Sequence, residues 1–287
     1  MNKPDQNPDQ TGCLYIVATP IGNLKDISYR AVEVLSKADL ILVEDTRNAA
    51  KLLQHYGIKQ PLKAVHEHNE DKVAAGLIAL IKQGQHIALI SDAGTPLVSD
   101  PGFRMVQQAQ VAGVQTVAVP GACAAIAALS IAGLPTDRFV FEGFLPAKQA
   151  AREQRIQALM DEPRTLVFYE AKHRILAFLG SLQKLMGGAR RASVAREITK
   201  KFESLYHGSL DEVIEQISAD ALAQKGEFVV MVQGAEQSVD GVSLDHVLKP
   251  LLAALSVSKA SKVAAEITGI KKNICYQRAL EMHEGDV

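Results

Sequence analysis

Short apolar runs alternate with amphipathic stretches through the first half of the chain, and this alternation limits the folds open to it. The runs 14–18 ("LYIVA") and 87–90 ("IALI") carry no alternating polar residues, which is typical of strands buried on both faces. Between such runs, residues 28–38 have apolar side chains at helical spacing, with Ser28 as the predicted N-cap. Strands separated by helices are joined by parallel crossovers, so the pattern predicts an α/β fold.

Composition narrows the class of protein. Of 287 residues 47% are hydrophobic, enough for a sizeable core, and the formal net charge of −1 excludes a uniformly basic nucleic-acid binder. The three cysteines form no CxxC pair, which supports neither a disulfide framework nor a cysteine zinc site. No apolar run approaches the roughly 18 residues of a membrane span. We therefore expect a soluble, cytoplasmic protein with no membrane partner and no metal.

Breaks in the pattern predict the domain boundaries. Residues 1–12 read as a disordered tail, and residues 13–143 as an N-terminal α/β domain. A polar stretch with Pro146 separates this domain from a second α/β domain at 144–236. After a polar linker, residues 240–287 predict a small helical domain of two or three helices.

The loop "SDAGTPLVSDPG" (91–102) contains too many turn-forming residues for core packing. In parallel sheets ligands bind just past the carboxyl ends of strands, so this loop and "TPIGN", "EDTRN" and "VPGA" should lie on one rim. Neither a Walker A motif nor a GxGxxG turn is present, which disfavours nucleoside triphosphates and dinucleotides. Glycines that allow close backbone approach instead suit an adenosine-type ligand, although an ordinary long loop is the alternative.

Histidines and carboxylates also cluster near the rim. His66 and His68 share one face if extended, and "VEDTRN" places acidic residues at a strand end. A metal site needs a third ligand, which the sequence does not offer, so a hydrogen-bonding rim is the better interpretation.

Positive charge is concentrated in the second domain. Residues 145–201 contain twelve Lys or Arg and five Asp or Glu, a net charge of +7. Such a local excess on a nearly neutral protein is the expected footprint of phosphate contacts. Solvated helix faces and structural ion pairs are the alternative.

Seven segments in sequence order resemble the tetrapyrrole-methylase superfamily, and in particular its ribosomal RNA branch. They lie between about residues 13 and 234 and read "LYIVATPIGNLKDISYRAVEVL", "ADLILVEDTRNAAKLL", "HEHNE", "LISDAGTPLVSDPG", "VPGACAAIAALSIAGLP", "FVFEGFLP" and "REITKKFE".

The resemblance implies two α/β domains of tetrapyrrole-methylase type, with S-adenosylmethionine bound in the cleft between them, usually in a homodimer. Gly94-Thr95-Pro96 stands where the wider superfamily has a GDP loop, a change that the ribosomal RNA branch shares and that argues against a tetrapyrrole substrate. The expected cofactor-binding residues are Pro20, Gly94, Thr95, Pro96, Val98, Ser99, Pro120, Gly121, Ala122 and Ala124.

The resemblance also implies the reaction: methylation of the ribose 2′-hydroxyl of a cytidine in 16S rRNA of the small ribosomal subunit, with no role for DNA. A base near the 2′-hydroxyl would assist. Asp45 and Asp100 are preferred for this role, and the other candidates are Glu44, Glu170 and a lysine of lowered pKa such as Lys200. Arg47 is expected to hold a neighbouring phosphate. The expected RNA contacts are Lys172, Arg174, Arg196 and Lys200.

Two other functions stay open at this point. One is a small-molecule, tetrapyrrole-type methylase of the same architecture, and the other is a non-catalytic ribosome-associated binding protein. The lysines of the C-terminal helices suggest a helix-turn-helix unit that grips RNA, with capping of the fold or dimer stabilisation as the alternative.

Overall fold

The computed structural model describes residues 12–66, 69–235 and 244–284. Residues 1–11 of the predicted disordered tail, His68 and most of the predicted linker at 235–245 lie outside these residues, whereas Gly12 is described and buried. The chain divides into two compact units, residues Met1–Gly234 and Ala235–Val287.

The first sheet is five-stranded, wholly parallel and ordered β3-β2-β4-β1-β5. Its strands are β1 (Cys13–Val17), β2 (Leu40–Val43), β3 (Leu62–Ala64), β4 (Ile87–Leu89) and β5 (Gln115–Val119). The helices are α1 (Tyr29–Lys37), α2 (Thr46–His55), α3 (Glu70–Lys82), α4 (Phe103–Val111) and α5 (Ala124–Ile131).

Both faces of this sheet are buried, as the apolar runs predicted. Ile41 and Val43 of β2 pack in one hydrophobic cluster, whereas Leu42 between them packs in another. Ser28 caps α1 by accepting a hydrogen bond from the Ala31 N–H. Strand β3 was not predicted, because its three residues "LKA" are too short and too polar to show a periodicity.

The second sheet has five strands in the order β6-β7-β10-β8-β9. Its strands are β6 (Phe139–Phe144), β7 (Thr165–Glu170), β8 (Arg191–Arg196), β9 (Ser204–Ser209) and β10 (Phe228–Val232). The helices are α6 (Gln149–Gln157), α7 (Ile175–Met186) and α8 (Leu210–Ser218). β6 pairs parallel with β7, and the remaining pairs are antiparallel.

Two strands of this sheet were missed. β6 was read as the end of the first domain and the start of a linker, but it pairs with β7, so the second sheet begins before residue 144. β9 alternates polar and apolar residues weakly and lies directly before α8.

Helix α5, which follows the last strand of the first sheet, packs against the second sheet. Its Ala125, Ala128 and Leu129 share a cluster with Val167 of β7 and Met231 of β10. Small side chains allow this close packing, which explains the unusual alanine content of the helix.

The C-terminal unit consists of α9 (Leu244–Ala254), α10 (Val257–Thr268) and α11 (Lys272–Glu284). These helices enclose a separate core that includes Leu248, Ala260, Ala264, Cys275 and Ala279. Among the described residues, no helix is both long and apolar enough to cross a membrane.

A capping box at α8 predicts a measurable loss of stability. The Ser209 hydroxyl accepts from the Glu212 N–H at 3.2 Å, and a Glu212 oxygen accepts from the Ser209 N–H at 2.7 Å. Ser209→Ala should lower the free energy of unfolding by about 1 kcal/mol, seen as a lower urea midpoint with an unchanged slope. The control Ser36→Ala removes a hydroxyl that bonds only to the Val32 carbonyl within α1. An equal loss in both variants contradicts the capping argument.

Candidate active site

A cavity of about 320 Å³ opens at the carboxyl end of the first sheet, where the loops after β1, β4 and β5 face the second sheet. From the first sheet and its loops it is lined by Ile21, Asp92, Ala93, Gly94, Thr95, Val98, Ser99, Asp100, Cys123 and Ala124. From the second sheet and its loops it is lined by Phe144, Tyr169, Glu170, Ala171, Ala195, Glu197, Ile198, Lys200, Glu227, Phe228 and Val229.

Backbone hydrogen bonds join the loops that form its floor. The Thr19 N–H donates to the Gly94 carbonyl at 2.8 Å, and the Gly94 N–H donates to the Thr19 carbonyl at 3.1 Å. The Thr95 hydroxyl donates to the Ala122 carbonyl at 3.0 Å. At Gly121 a Cβ would lie 2.9 Å from the Ala18 Cβ, so only glycine lets this turn approach β1. Three loops therefore form one fixed surface.

Strained backbone is concentrated around the cavity. Among the described residues, five other than glycine have positive φ: Leu97, Ser99, His173, Glu197 and Thr199. All five belong to loops that contribute residues to the cavity wall. Such conformations cost about 1–3 kcal/mol each and persist where the surroundings impose them, typically at functional sites.

The predicted cofactor residues divide into two groups. Gly94, Thr95, Val98, Ser99 and Ala124 line the cavity. Pro20, Pro96, Pro120, Gly121 and Ala122 do not line it, but each is next to, or hydrogen-bonded to, the residues that form its floor.

The acidic motif after β2 lies beside the cavity rather than in its wall. Asp45 caps α2 by accepting from the Arg47 N–H at 2.8 Å, and its carboxylate pairs with the Arg47 guanidinium at 2.6 Å. The hydrogen bonds from Arg47 lower the pKa of Asp45 to about 2. The half-buried Glu44 precedes it, outside the cavity lining. A carboxylate held so strongly in its ionised form is a poor proton acceptor, which disfavours Asp45 as the base.

Asp92 connects this motif to the cavity. Its carboxylate accepts from the Asp45 N–H at 3.3 Å and from the Asn48 side-chain amide at 2.7 Å. Asp92 itself lines the cavity, so the helix that carries Arg47 is anchored directly at the cavity's edge.

Asp100 is the predicted catalytic acid or base that the structure places in the wall of the cavity. Burial raises the pKa of its carboxyl above the ordinary value, the Ser91 hydroxyl offsets part of this effect, and the negative charge of Asp92 adds to it. A half-buried carboxylate with a raised pKa is better suited to accept a proton than an exposed one.

Lys200 also lines the cavity, but it is not a lysine of lowered pKa. Burial lowers the pKa of its ammonium, yet hydrogen bonds to Glu227 at 2.7 Å and Glu197 at 2.9 Å outweigh burial and raise it above the ordinary value. Its aliphatic stem lies against Gly22, where a Cβ would be 2.4 Å from the Lys200 Cγ. The raised pKa disfavours Lys200 as a base, and the residue joins the loop after β1 to the second sheet.

The motif "YEAKHR" contributes an internal brace rather than a row of RNA contacts. The Glu170 side chain is fully buried, and its Oε1 lies 3.1 Å from the Arg174 Nε. Glu170 follows Phe168 by two residues on β7, so the two side chains share one face of the strand. Arg174 also donates to the Leu145 carbonyl at 2.9 Å. Lys172, between them in sequence, is exposed.

Most of the basic excess at 145–201 makes internal contacts. Arg196 donates to the carbonyls of Lys225 and Phe202, at 2.5 and 3.2 Å. Eight of the twelve cations contact protein acceptors in this way: Arg152, Arg155, Arg164, Arg174, Lys184, Arg190, Arg196 and Lys200. The net charge of this segment therefore overstates the positive charge available to a partner.

Several residues of the cavity were not predicted from the sequence. Asp92, Phe144, Tyr169, Ile198 and Glu227 come from five separate segments that only the fold brings together. Asp92 could have been predicted, because it belongs to the loop 91–102 that the sequence analysis identified. The predicted absence of metal is not tested by the structure; no group of three or more His, Cys, Asp and Glu among the described residues is arranged to hold a metal ion.

The charge of the cavity favours a cationic ligand. The carboxylates of Asp92, Asp100, Glu197 and Glu227 belong to lining residues, against the single ammonium of Lys200. In a partly enclosed cavity such an excess attracts positive charge. Ile21, Val98, Ile198 and Val229 supply apolar surface for an uncharged part of the same ligand.

Comparison with known proteins identifies the fold and its chemistry. The family described as Tetrapyrrole (Corrin/Porphyrin) Methylases matches residues 13–214, and an RsmI C-terminal HTH (helix-turn-helix) domain matches residues 238–283. The chain is 53% identical over 275 residues to Ribosomal RNA small subunit methyltransferase I of Pseudomonas aeruginosa, covering 94% of this chain and 97% of that protein. It is 48% identical over 282 residues to the protein of the same name from Escherichia coli O157:H7, covering 97% and 99%.

The methyltransferase CobJ is similar in structure, with a TM-score of 0.58 at 17% identity, covering 78% of this chain and 95% of that one. This likeness shows the fold alone. Together the matches define a class: the chain is a methyltransferase that uses S-adenosylmethionine. More particularly, it belongs to the tetrapyrrole methylase family.

The residues of the cavity fit this cofactor. S-adenosylmethionine carries a positive sulfonium and a positive ammonium, which the carboxylates of the wall complement. Gly94, with φ of +82°, lines the cavity, and a Cβ there would crowd Ile21 at 3.3 Å. The predicted cofactor site and the cavity therefore coincide at the Gly94 loop.

Filling the cavity predicts a loss of cofactor binding. Ala124→Leu adds three carbons at the cavity wall and should weaken S-adenosylmethionine binding at least about tenfold, measured by calorimetry, since burying a leucine-sized group displaces ligand volume. Ser130→Leu, at an exposed position of the same helix, is the control and should bind normally. Unchanged affinity in the Ala124 variant would place the cofactor elsewhere.

The Glu170–Arg174 brace predicts a large and pH-dependent loss of stability. Arg174→Ala leaves Glu170 buried without its partner and should cost about 2–4 kcal/mol at pH 8, measured by urea unfolding. Burial already raises the Glu170 pKa, and the loss of Arg174 raises it further. A carboxyl whose pKa is higher in the folded than in the unfolded protein stabilises the fold when it is protonated. The loss in free energy of unfolding caused by Arg174→Ala should therefore shrink as the pH falls towards 5.

The matched control is Lys172→Ala, in the same loop but exposed, which should change stability by less than about 0.5 kcal/mol. Equal effects of the two substitutions, or a loss independent of pH, would contradict the brace.

Proposed function

We propose that this chain transfers a methyl group from S-adenosylmethionine to the ribose 2′-hydroxyl of a cytidine in 16S rRNA of the small ribosomal subunit. The observation that carries the proposal is similarity over nearly the whole chain to relatives named as ribosomal RNA small subunit methyltransferases, together with a cavity whose charge suits the donor. The 2′-hydroxyl and the cytidine rest on the family resemblance.

Gly94, Thr95, Val98, Ser99 and Ala124 hold the donor in this proposal, because they line the cavity beside its hydrogen-bonded floor. When bound, the donor supplies a methyl group already activated by positive sulfur. The protein's task is therefore alignment and exclusion of water. The hydrogen-bonded loops suit this task, since a floor fixed before binding loses little freedom on binding.

Asp100 accepts the proton of the 2′-hydroxyl in this proposal. Its position in the cavity wall and its raised pKa support the role, whereas Asp45 is paired with Arg47 and lies outside the wall. Asp45 instead positions Arg47, whose side chain is 86% exposed and available to a phosphate on one side of the cavity.

The exposed Lys172 is the remaining candidate for a phosphate contact from the predicted set. Arg174 and Arg196 are assigned a structural role, because both are half-buried as well as bound to protein acceptors. A homodimer and a cytoplasmic location complete the proposal and rest on the resemblance, as does the absence of DNA.

The tetrapyrrole-type methylase is the second candidate, since relatives of this fold methylate small molecules. The similarity to full-length ribosomal RNA methyltransferases favours RNA. A non-catalytic binding protein is disfavoured by the carboxylate of Asp100, the proposed base, which lines the cofactor cavity.

Labelled S-adenosylmethionine distinguishes these functions. The protein should transfer tritium to small subunits that lack the modification, and alkaline hydrolysis of the product should leave the labelled linkage intact, because the 2′-oxygen needed for cleavage is methylated. Label on a base, or transfer to a small molecule alone, would overturn the proposal.

Replacing Asp100 predicts a loss of rate with cofactor binding retained. Asp100→Asn should lower kcat by about 10²–10⁴-fold, the usual contribution of a general base. In the native enzyme, kcat should fall on acidification through a pKa above that of an ordinary aspartate, because the carboxylate must be ionised to accept a proton and burial raises its pKa. Normal S-adenosylmethionine affinity is the control for folding, and a native rate in the variant would exclude Asp100.

A further inference from the structure

Phe144, the last residue of β6, is an exposed aromatic side chain at the cavity. It lines the cavity, and 55% of its surface is exposed. A phenylalanine held at the opening of a cavity and left half uncovered has an apolar face available to a ligand.

A β-bulge turns this side chain toward the cavity. Phe141 pairs with Val167 of β7 and Phe144 pairs with Tyr169, so three steps along β6 match two steps along β7. In a regular ladder, residues three apart point to opposite faces. Because of the bulge, Phe141 and Phe144 instead both contact Tyr169.

The bulge depends on Gly143, the residue before Phe144. Its φ of +64° favours glycine, and a Cβ there would lie 2.9 Å from the Ser99 hydroxyl of the cofactor loop. Bulges beside active sites commonly re-aim a side chain, and this one brings Phe144 beside the predicted cofactor site.

Tyr169 fixes the ring of Phe144. Its hydroxyl accepts a hydrogen bond from the Ala125 N–H at 3.2 Å, at the start of α5. The ring of Phe144 meets it edge to face, with centroids 5.5 Å apart and planes at 61°. Phe141 meets the same tyrosine at 4.9 Å and 74°. The exposed phenyl is thus held in one orientation before any ligand arrives.

The adjoining loops carry exposed positive charge. Lys172 follows Ala171 of the cavity wall, and Lys201 follows Lys200. The Lys201 ammonium lies 5.5 Å from the ring centroid of Phe202, which is itself 61% exposed. Aromatic faces interspersed with cations are typical of surfaces that bind unpaired nucleic-acid strands.

We propose that Phe144 is the platform on which the base of the target nucleotide stacks while its ribose faces the cavity. The proposal rests on the proposed RNA substrate and adds how the nucleotide is held. Enzymes that act within a nucleic acid commonly take the nucleotide out of its stack, and an aromatic side chain replaces part of the lost stacking. A phenyl face accepts any base, so Phe144 contributes affinity and position rather than identity.

Kinetics with small subunits lacking the modification test the platform. Phe144→Ala should lower kcat/KM for subunits by about 5- to 100-fold, the range expected for one lost base–aromatic stack. Phe144→Tyr should restore most of the activity, and Phe144→Leu, apolar without a flat ring, should not. S-adenosylmethionine affinity should stay native in all three. The control is Phe139→Ala, at the opposite end of β6 and outside the cavity lining. It should leave kcat/KM for the subunits unchanged.

A fluorescence measurement tests contact directly. The chain has no tryptophan, so Phe144→Trp introduces a single indole at the cavity opening. Stacking with a base should quench its fluorescence on addition of the same subunits, while Phe139→Trp should remain bright.

The outcomes separate this proposal from the function it rests on. If native protein methylates subunits but Phe144→Ala does so equally well, the platform is wrong and the function stands. If Phe144→Ala loses cofactor affinity, or changes the oligomeric state by sedimentation without affecting RNA kinetics, the ring serves the cofactor or a second copy of the chain and the proposal falls. If native protein transfers no methyl group to subunits, the proposed RNA methyltransferase function is wrong, and the platform proposal falls with it.

Discussion

Two reciprocal backbone hydrogen bonds between Thr19 and Gly94 hold the active site together. They join the loop after β1 to the loop after β4, two segments that a parallel sheet brings side by side at its carboxyl edge. The Thr95 hydroxyl then ties the third loop through the Ala122 carbonyl. Since these contacts use backbone groups and small side chains, they leave space above them for a ligand.

The second sheet completes the site through close approach between the two layers. The Lys200 stem lies against Gly22, and Ser99 lies against Gly143, so each layer reaches the other at a glycine. Strained residues such as Ser99 and Glu197 belong to these contact loops. Both layers contribute residues to the cavity wall, and the alanine-rich α5, which follows the first sheet, packs closely against the second.

Much of the fold was predictable because burial on both faces of the first sheet produces continuous apolar runs such as 14–18. The strands β3 and β6 were not predicted. The three residues of β3 are too few to show the two-residue period of a strand, and the bulge in β6 interrupts that period. The Gly94 loop was predictable from turn chemistry and the resemblance. The roles of Arg174 and Lys200 were not, because a sequence gives the number of charges but not their partners. Phe144 was placed at the start of a linker by the sequence, and only its pairing register with β7 shows which way it faces.

The central claim is that the cavity above Gly94 binds a methylsulfonium nucleoside between the two α/β layers. The most direct measurement is a crystal structure of the protein grown with S-adenosylmethionine. The account predicts density for the nucleoside against Gly94, Thr95 and Ala124, with the wall of the second sheet closing over it. A donor bound at another surface, with this cavity filled by side chains, would contradict it.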